Sequence, residues 1–207
     1  MKIHLEQISR KFNYEWIFRG VDAQYESGNA YAILGSNGSG KSTLLQIISG
    51  HLHPSSGTIR YVDGNTVMGQ DQIFRHVSYN GPYLELLEEY TLEEMVRFHH
   101  KFKPFIGNIT EEEVIQITQP SKNRKKPIKY YSSGMKQRVK LALAILSDTE
   151  ILLLDEPSSN LDHQGIEWFR SLVAEYRADR VVIICSNSQP QEYDFCGQTL
   201  SIDQYKK

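Results

Sequence analysis

The chain has 207 residues, with 23 Lys and Arg against 25 Asp and Glu, a formal net charge of -2, 40% hydrophobic and 23% charged residues. This is the composition of an ordinary globular chain large enough for one core, and so small a net charge gives no electrostatic reason to expect nucleic acid or an anionic membrane as the main partner. Its longest aliphatic run, Leu141 to Leu146, falls far short of the ~20 residues of a membrane helix; the N-terminus lacks the apolar core of a signal peptide, and Cys185 and Cys196 form no close pair, so a cytoplasmic chain with reduced thiols is expected.

In chain order, Ile3 to Ile8 alternates loosely and predicts an opening strand. Arg10 to Trp16 then places Phe12, Tyr14 and Trp16 in a polar, loop-like stretch. Any one of these rings has a face on which a purine can stack, while packing at a core rim is the simpler reading of each one taken singly. Tyr31-Ala32-Ile33-Leu34 is a short apolar run after Gly28-Asn29 and predicts a buried strand. Gly35-Ser36-Asn37-Gly38-Ser39-Gly40-Lys41-Ser42-Thr43 follows at once and fits G-x-x-x-x-G-K-[ST] without a gap. Leu44 to Ser49 then has helical spacing and ends at Gly50. Strand, glycine loop and helix is the context in which this motif cradles phosphates. The glycines let backbone N–H groups turn inward, the helix adds the positive end of its dipole, Lys41 reaches the terminal phosphates and the Ser42 hydroxyl takes a place on Mg²⁺. The ligand expected is a nucleoside triphosphate.

His51-Leu52-His53 and His99-His100 lack the further ligands of a metal cluster and read as surface. Thr58 to Val62 predicts a strand turned by Asp63-Gly64, and Ile73 to Tyr79 another. From Pro82 to about Leu146 the pattern becomes helical. Thr91-Leu92-Glu93-Glu94 and Thr110-Glu111-Glu112-Glu113 are capping-box signatures, and Lys122 to Pro127 is a short basic loop. Ile151 to Leu154 is a continuous apolar run ending in Asp155-Glu156-Pro157, as in a buried parallel strand that presents acids at its C-terminal edge. Asp155 is expected in the Mg²⁺ shell, and Glu156 to polarise an attacking water. Asp162 reads as a helix N-cap, with Ile166, Trp168, Phe169, Leu172, Val173 and Tyr176 on one core face. Arg180 to Cys185 and Thr199 to Ile202 predict the last two strands.

At this point the chain resembles the nucleotide-binding subunit of ATP-binding cassette (ABC) transporters, over essentially its whole length. The phosphate loop matches, as do Pro54-Ser55-Ser56-Gly57 beyond its helix and a D-loop at Ser158-Ser159-Asn160-Leu161-Asp162. Tyr131-Ser132-Ser133-Gly134-Met135-Lys136-Gln137-Arg138 falls on the family signature. In size and motif it most resembles short cassettes such as those of the cytochrome-maturation haem exporter, a likeness that does not extend to the cargo. The resemblance implies one α/β domain over 1–207. Residues 1–81 and 147–207 would form a phosphate-loop core of mainly parallel sheet with an N-terminal antiparallel β subdomain, and 82–146 an inserted helical subdomain. It also implies two cassettes paired head to tail, most simply a homodimer. ATP with Mg²⁺ would lie between one phosphate loop and the signature residues Ser132, Ser133 and Gly134 of the other copy, and Phe12 would stack on the adenine. A separate transmembrane permease would be the partner, with this chain peripheral on the inner face of the cell membrane and no nucleic acid involved.

Three departures from the family pattern bear on activity. Ser133 and Met135 replace a glycine and a glutamine of the signature. Pro82 stands where the family has its Q-loop glutamine, leaving Asn80 or Glu85 as substitutes. Asn187, in Ser186-Asn187-Ser188, stands where the family has its switch histidine, and asparagine brings a hydrogen bond but no positive charge. Loss of one charge-assisted contact of this kind costs ~2 to 4 kcal/mol, or about 10²- to 10³-fold in rate. The sequence therefore predicts an ATPase with slow turnover, catalysed by Lys41, Glu156 and Asn187. The alternative is a nucleotide-gated assembly module in which hydrolysis is incidental. A repair or ribosome-associated cassette and a small-molecule kinase fit less well: long coiled coils or a second cassette are missing for the first, and the second leaves the signature and D-loop unexplained.

Overall fold

The computed structural model describes residues 1–118, 123–187 and 189–206; Lys122 of the basic run and Ser188 of the switch stretch lie outside them. Among the described residues the chain opens with strands β1 (Lys2–Phe12), β2 (Glu15–Glu26) and β3 (Ala30–Leu34), helix α1 (Lys41–Ile48), and strands β4 (Ser56–Asp63), β5 (Thr66–Met68) and β6 (Val77–Asn80). Helices α2 (Leu92–His100), α3 (Glu111–Ile117) and α4 (Ser133–Leu146) follow, then β7 (Ile151–Asp155), α5 (His163–Tyr176), β8 (Val181–Ser186), the short α6 (Pro190–Tyr193) and β9 (Gln198–Ser201).

An antiparallel sheet in the order β2-β1-β4-β5 lies beside a parallel sheet in the order β6-β7-β8-β3-β9. This is the expected arrangement of a mainly parallel core sheet with an N-terminal antiparallel β subdomain. The parallel sheet is buried on both faces, which is why β7 and β8 read as unbroken apolar runs. Alternate residues serve opposite cores. Leu152, Leu154, Val182 and Ile184 face the helical side with α2 to α5. Ile151, Leu153, Val181 and Ile183 face α1 and the antiparallel sheet through Leu44, Ile48, Ile3 and Tyr61. Each such aliphatic side chain contributes ~1.5 to 3 kcal/mol of burial.

Both expected capping boxes form. Thr91 Oγ1 accepts from Glu94 N at 3.3 Å while Glu94 Oε2 accepts from Thr91 N at 2.8 Å. Thr110 and Glu113 repeat the exchange at 3.2 and 2.7 Å. Asp162 caps α5 through Gly165 N at 2.7 Å.

Two local expectations are corrected. The aromatic stretch at Arg10–Trp16 is not a loop. It is the end of β1, a tight turn at Asn13-Tyr14 and the start of the twelve-residue β2. Lys11 pairs with Trp16, whose ring has the cations of Lys11 at 5.5 Å and Arg19 at 4.7 Å. Ile73–Arg75 is a turn of 3₁₀ helix, and the strand begins only at Val77. Ile73 is fully buried in this turn, and a buried apolar residue fits a strand equally well, so its character gave no sign of the difference.

Arg180, just before β8, is 5% exposed. Its guanidinium donates to Ile145 O at 2.6 Å, Thr149 Oγ1 at 2.7 Å and Ser78 Oγ at 2.9 Å. It thus ties the last turn of α4 to β6 and to the loop entering β7. Burial lowers its pKa to about 10, and the guanidinium remains charged at neutral pH.

Candidate functional site

Strand register builds the site. Leu34 lies opposite Ser186, Asp155 opposite Cys185 and Asn80 opposite Leu154. The residues that follow β3, β6, β7 and β8 therefore emerge at one edge of the parallel sheet, where ligands of open α/β folds sit. The loop after β3 runs into α1, with Lys41 as its first residue. Gly40 has φ 101°, and a Cβ there would lie 2.6 Å from Ile17 Cγ2 and 2.9 Å from Phe18 Cδ1, so the β1–β2 hairpin can approach the loop only over a glycine. Lys41 is 4% exposed, and its Nζ donates to Gly35 O at 2.8 Å and Ser36 O at 3.1 Å. Behind the loop, Asp203 accepts from Ser36 N at 3.1 Å and Ser36 Oγ at 3.2 Å. Nothing in the sequence pointed to Asp203, because 167 residues separate the two.

Asn37, Gly38, Ser39, Gly40, Lys41, Ser42 and Thr43 line a cavity of about 530 Å³, with Ile17, Gln46, Pro82, Tyr83 and Glu156 completing its wall. The size is that of an ordinary small-molecule site. Glu156 has φ 47°, a left-handed conformation uncommon outside glycine; its N–H donates to Cys185 O at 2.9 Å. Backbone strain of ~1 to 3 kcal/mol of this kind clusters at functional sites. Asp155 is 1% exposed, and neither carboxylate oxygen has a hydrogen-bond partner among the described residues. Burial raises its pKa, the Ser42 hydroxyl beside it acts to lower it, the charge of Glu156 acts to raise it, and Lys41 and the Tyr79 hydroxyl act to lower it. A buried carboxylate with only the nearby Ser42 and Tyr79 hydroxyls to offset its desolvation is costly unless a cation completes it, so Asp155 with Ser42 beside it fits a divalent ion. The described residues contain no group of three or more His, Cys, Asp or Glu arranged for a metal.

The other expected site residues are distributed as follows. Asn187, directly after β8, donates from Nδ2 to Asn37 Oδ1 at 3.2 Å, so it sits at the phosphate loop. Asn80 and Glu85 do not reach the cavity. They face a separate void of about 220 Å³ lined also by Lys103, Lys140 and His99. Phe12 stands near the hairpin tip, 45% exposed, with the Arg10 guanidinium 4.5 Å from its ring centroid, and is not among the residues lining the phosphate cavity. Ser132 caps α4 through Met135 N at 3.2 Å. Ser132 and Ser133 are exposed, and neither they nor Gly134 line the cavity. The backbone of Gly134 passes close to the D-loop, where a Cβ would lie 2.9 Å from Asn160 O.

One link escaped sequence reasoning. Glu192 on α6 is 2% exposed, and its Oε1 accepts from Ser158 N at 2.9 Å and Ser158 Oγ at 2.5 Å. It fastens the D-loop to the segment that follows Asn187, and Gln137 Nε2 adds a bond to Pro157 O at 3.0 Å. Glu192→Ala leaves the Ser158 amide buried without an acceptor, and a loss of ~1 to 3 kcal/mol is expected. Urea unfolding checks this, with Glu192→Gln, which keeps an oxygen acceptor, recovering most of the loss; an unchanged midpoint in the alanine variant would refute it.

The family model described as ABC transporter matches residues 18–159, more than half of the chain. Among curated proteins, the chain is 29% identical over 193 residues to the cytochrome c biogenesis ATP-binding export protein CcmA of Rhizobium meliloti, covering 92% of each. It is 28% identical over 165 residues to the ABC transporter ATP-binding protein YcbN of Bacillus subtilis, covering 80% of this chain but spanning only 54% of that relative. A solved structure described as a putative ABC transporter ATP-binding protein of Pyrococcus furiosus superposes over 100% of both chains, with a TM-score of 0.83 and 21% identity. With phosphate loop, acidic strand end, signature and D-loop held on one sheet edge and its flanks, the chain belongs to the ABC transporter family of ATP-binding proteins.

Proposed function

We propose that this chain binds ATP with Mg²⁺, pairs with a second copy of itself around the nucleotide, and powers a separate membrane permease. One observation carries the reading. The phosphate cavity is built from one end of the parallel sheet, while Ser132, Ser133 and Gly134, at the N-terminal end of the fourteen-residue α4, stand outside it and open to solvent. A helix N-terminus attracts anions, and this one does not line the phosphate cavity of its own chain, which supports a nucleotide shared with the loop of another copy.

In the paired state the loop amides and Lys41 hold the phosphates. Mg²⁺, held by Asp155 and Ser42, would neutralise charge on the terminal phosphate oxygens. Glu156 accepts the proton of the water that attacks the γ-phosphorus, and Asn187 offers that group a neutral hydrogen bond. ATP closes the pair because it binds the closed state better, and its hydrolysis removes that preference. A permease fits a second cleft, of about 590 Å³, beside the first and lined by Gly50, His51, Gln70, Phe74, Val77 and Leu84, with the Phe74 ring 60% exposed. No helix among the described residues is long and apolar enough to cross a membrane. The chain would accordingly work as a peripheral subunit on the inner face of the cell membrane.

Light scattering of the purified chain tests the pairing. A mass that doubles with Mg-ATP and returns to monomer with ADP is the expected result; a monomer at saturating ATP would overturn it. Asn187 and Pro82 favour the second reading, a nucleotide-gated module with little hydrolysis. That reading predicts the same dimer with turnover below about 1 s⁻¹, the low end of ordinary enzyme rates.

A further inference from the structure

After β9 the chain makes a single turn of 3₁₀ helix, Ile202–Tyr205, that closes onto the start of the phosphate loop. Ile202 is fully buried in the core that α1 shares with the antiparallel sheet, and this plants Asp203 beside Gly35 and Ser36. The approach is close. A Cβ on Gly35 would lie 2.6 Å from Ile202 Cγ2 and 3.2 Å from Asp203 Oδ2, so only glycine admits the turn at that distance. Ser36 is then held through every polar group it has. Its N–H donates to Asp203 Oδ2 at 3.1 Å and its hydroxyl to Asp203 Oδ1 at 3.2 Å. Its carbonyl accepts from Lys41 Nζ at 3.1 Å and from Ser39 N, also at 3.1 Å. Neither Ser36 nor Asp203 lines the phosphate cavity, so the carboxylate grips the loop from outside the space an anion would fill. The peptide that Asp203 holds therefore also carries the resting contact of Lys41, whose Nζ reaches Gly35 O at 2.8 Å as well.

We propose that Asp203 is a positioning residue for nucleotide binding: by fixing Ser36 it presets the loop on which Lys41 and the amides of residues 37–41 meet the phosphates. This rests on the proposed binding of ATP in the phosphate cavity. Glycine-rich backbone loses more conformational freedom on ordering than other backbone, and a loop ordered before its ligand arrives binds more tightly because that loss is not charged to the complex. The anchor acts on the loop as a whole rather than on one phosphate, so it favours ATP and ADP alike. A carboxylate suits the task, because hydrogen bonds to an ionised acceptor are about twice as strong as neutral ones. The other charged neighbour of Asp203, Lys206 Nζ at 3.9 Å, forms an exposed pair with it that adds little.

The test is calorimetric titration of the whole chain with Mg-ATP and with Mg-ADP, with Tm recorded for each variant. Asp203→Ala is expected to weaken both nucleotides about tenfold, the equivalent of one hydrogen bond to a charged group. Asp203→Asn offers Ser36 N an oxygen and can donate from its amide to the Ser36 hydroxyl, so it should recover most of the loss. Ser36→Ala removes only the hydroxyl contact and should weaken binding about threefold; added to Asp203→Ala it should weaken binding no further, since both act through one contact. Lys206→Ala should bind as the wild type does. Wild-type affinity in Asp203→Ala, even with a lowered Tm, would make Asp203 a residue of the fold alone and overturn the proposal. An asparagine variant no better than alanine, or losses that add in the double variant, would overturn it too. Should Asp203→Ala fail to fold, Ser36→Ala decides, and wild-type affinity there is the overturning result. A wild-type chain that binds neither nucleotide would overturn the underlying reading of the cavity, and this assignment with it.

Discussion

Glu156→Gln is expected to lower steady-state Mg-ATP hydrolysis by about 10²- to 10⁴-fold, the usual contribution of a positioned general base, while ATP still binds. Glutamine has nearly the same volume and should tolerate the φ of 47° as glutamate does, so the loop geometry is kept. What disappears is the group that takes the proton from water. Asp155, whose pKa burial raises most and the neighbouring charge of Glu156 raises further, becomes easier to ionise, while a bound cation loses the attraction of one nearby negative charge. The substituted chain should therefore bind ATP and stay paired, because the step that reopens the dimer is blocked. Wild-type turnover that the substitution leaves untouched would remove Glu156 from the mechanism. Turnover near zero in both proteins, with ATP-dependent pairing intact, would favour the nucleotide-gated reading. In that event Asn187 and Pro82 have cost the chain its chemistry and left its binding.

The second large effect is structural. Arg180→Ala is expected to destabilise the chain by ~3 kcal/mol, lowering Tm by about 6 to 12 °C for a protein of this length. The guanidinium satisfies Ile145 O, one of the last carbonyls of α4, which has no partner within its own helix. It also places a positive charge at the C-terminal end of that helix, where the dipole favours one. Alanine leaves the carbonyl orphaned and a void among Ser78, Thr149 and α4. The two hydroxyls keep each other, at 3.0 Å, which limits the loss. Arg180→Lys retains the charge but not the fork that reaches three acceptors, and should fall between wild type and alanine. A Tm for Arg180→Ala indistinguishable from wild type would show that water replaces the guanidinium at no cost.

The legible parts of this protein were those in which a few consecutive residues carry the whole physical reason. The phosphate loop is one: glycines, lysine and serine stand in a fixed local order, and the preceding apolar strand and following helix make that order meaningful. The acidic end of β7 is another, as are the capping boxes at Thr91 and Thr110, each a three-residue exchange of hydrogen bonds. Parallel strands buried on both faces announced themselves as apolar runs at Ile151–Leu154 and Val181–Cys185.

The antiparallel strand β2 did not. Phe18, Val21 and Tyr25 are buried on it, but the register shifts between Leu5 and Lys11 break the alternation by which a strand is read. The tertiary structure alone decided what lies beside what. It set Asp203 behind Ser36 and Glu192 against Ser158, gave Asn80 and Glu85 to a separate void, and brought Pro82 and Tyr83 into the wall of the phosphate cavity. It also drew Arg180 into the interior, where sequence suggests only the polar start of a strand. Such placements depend on contacts between residues tens to more than a hundred positions apart. Local residue types fix which backbone and side-chain groups need partners; only the packing of sheets and helices fixes which partners they receive.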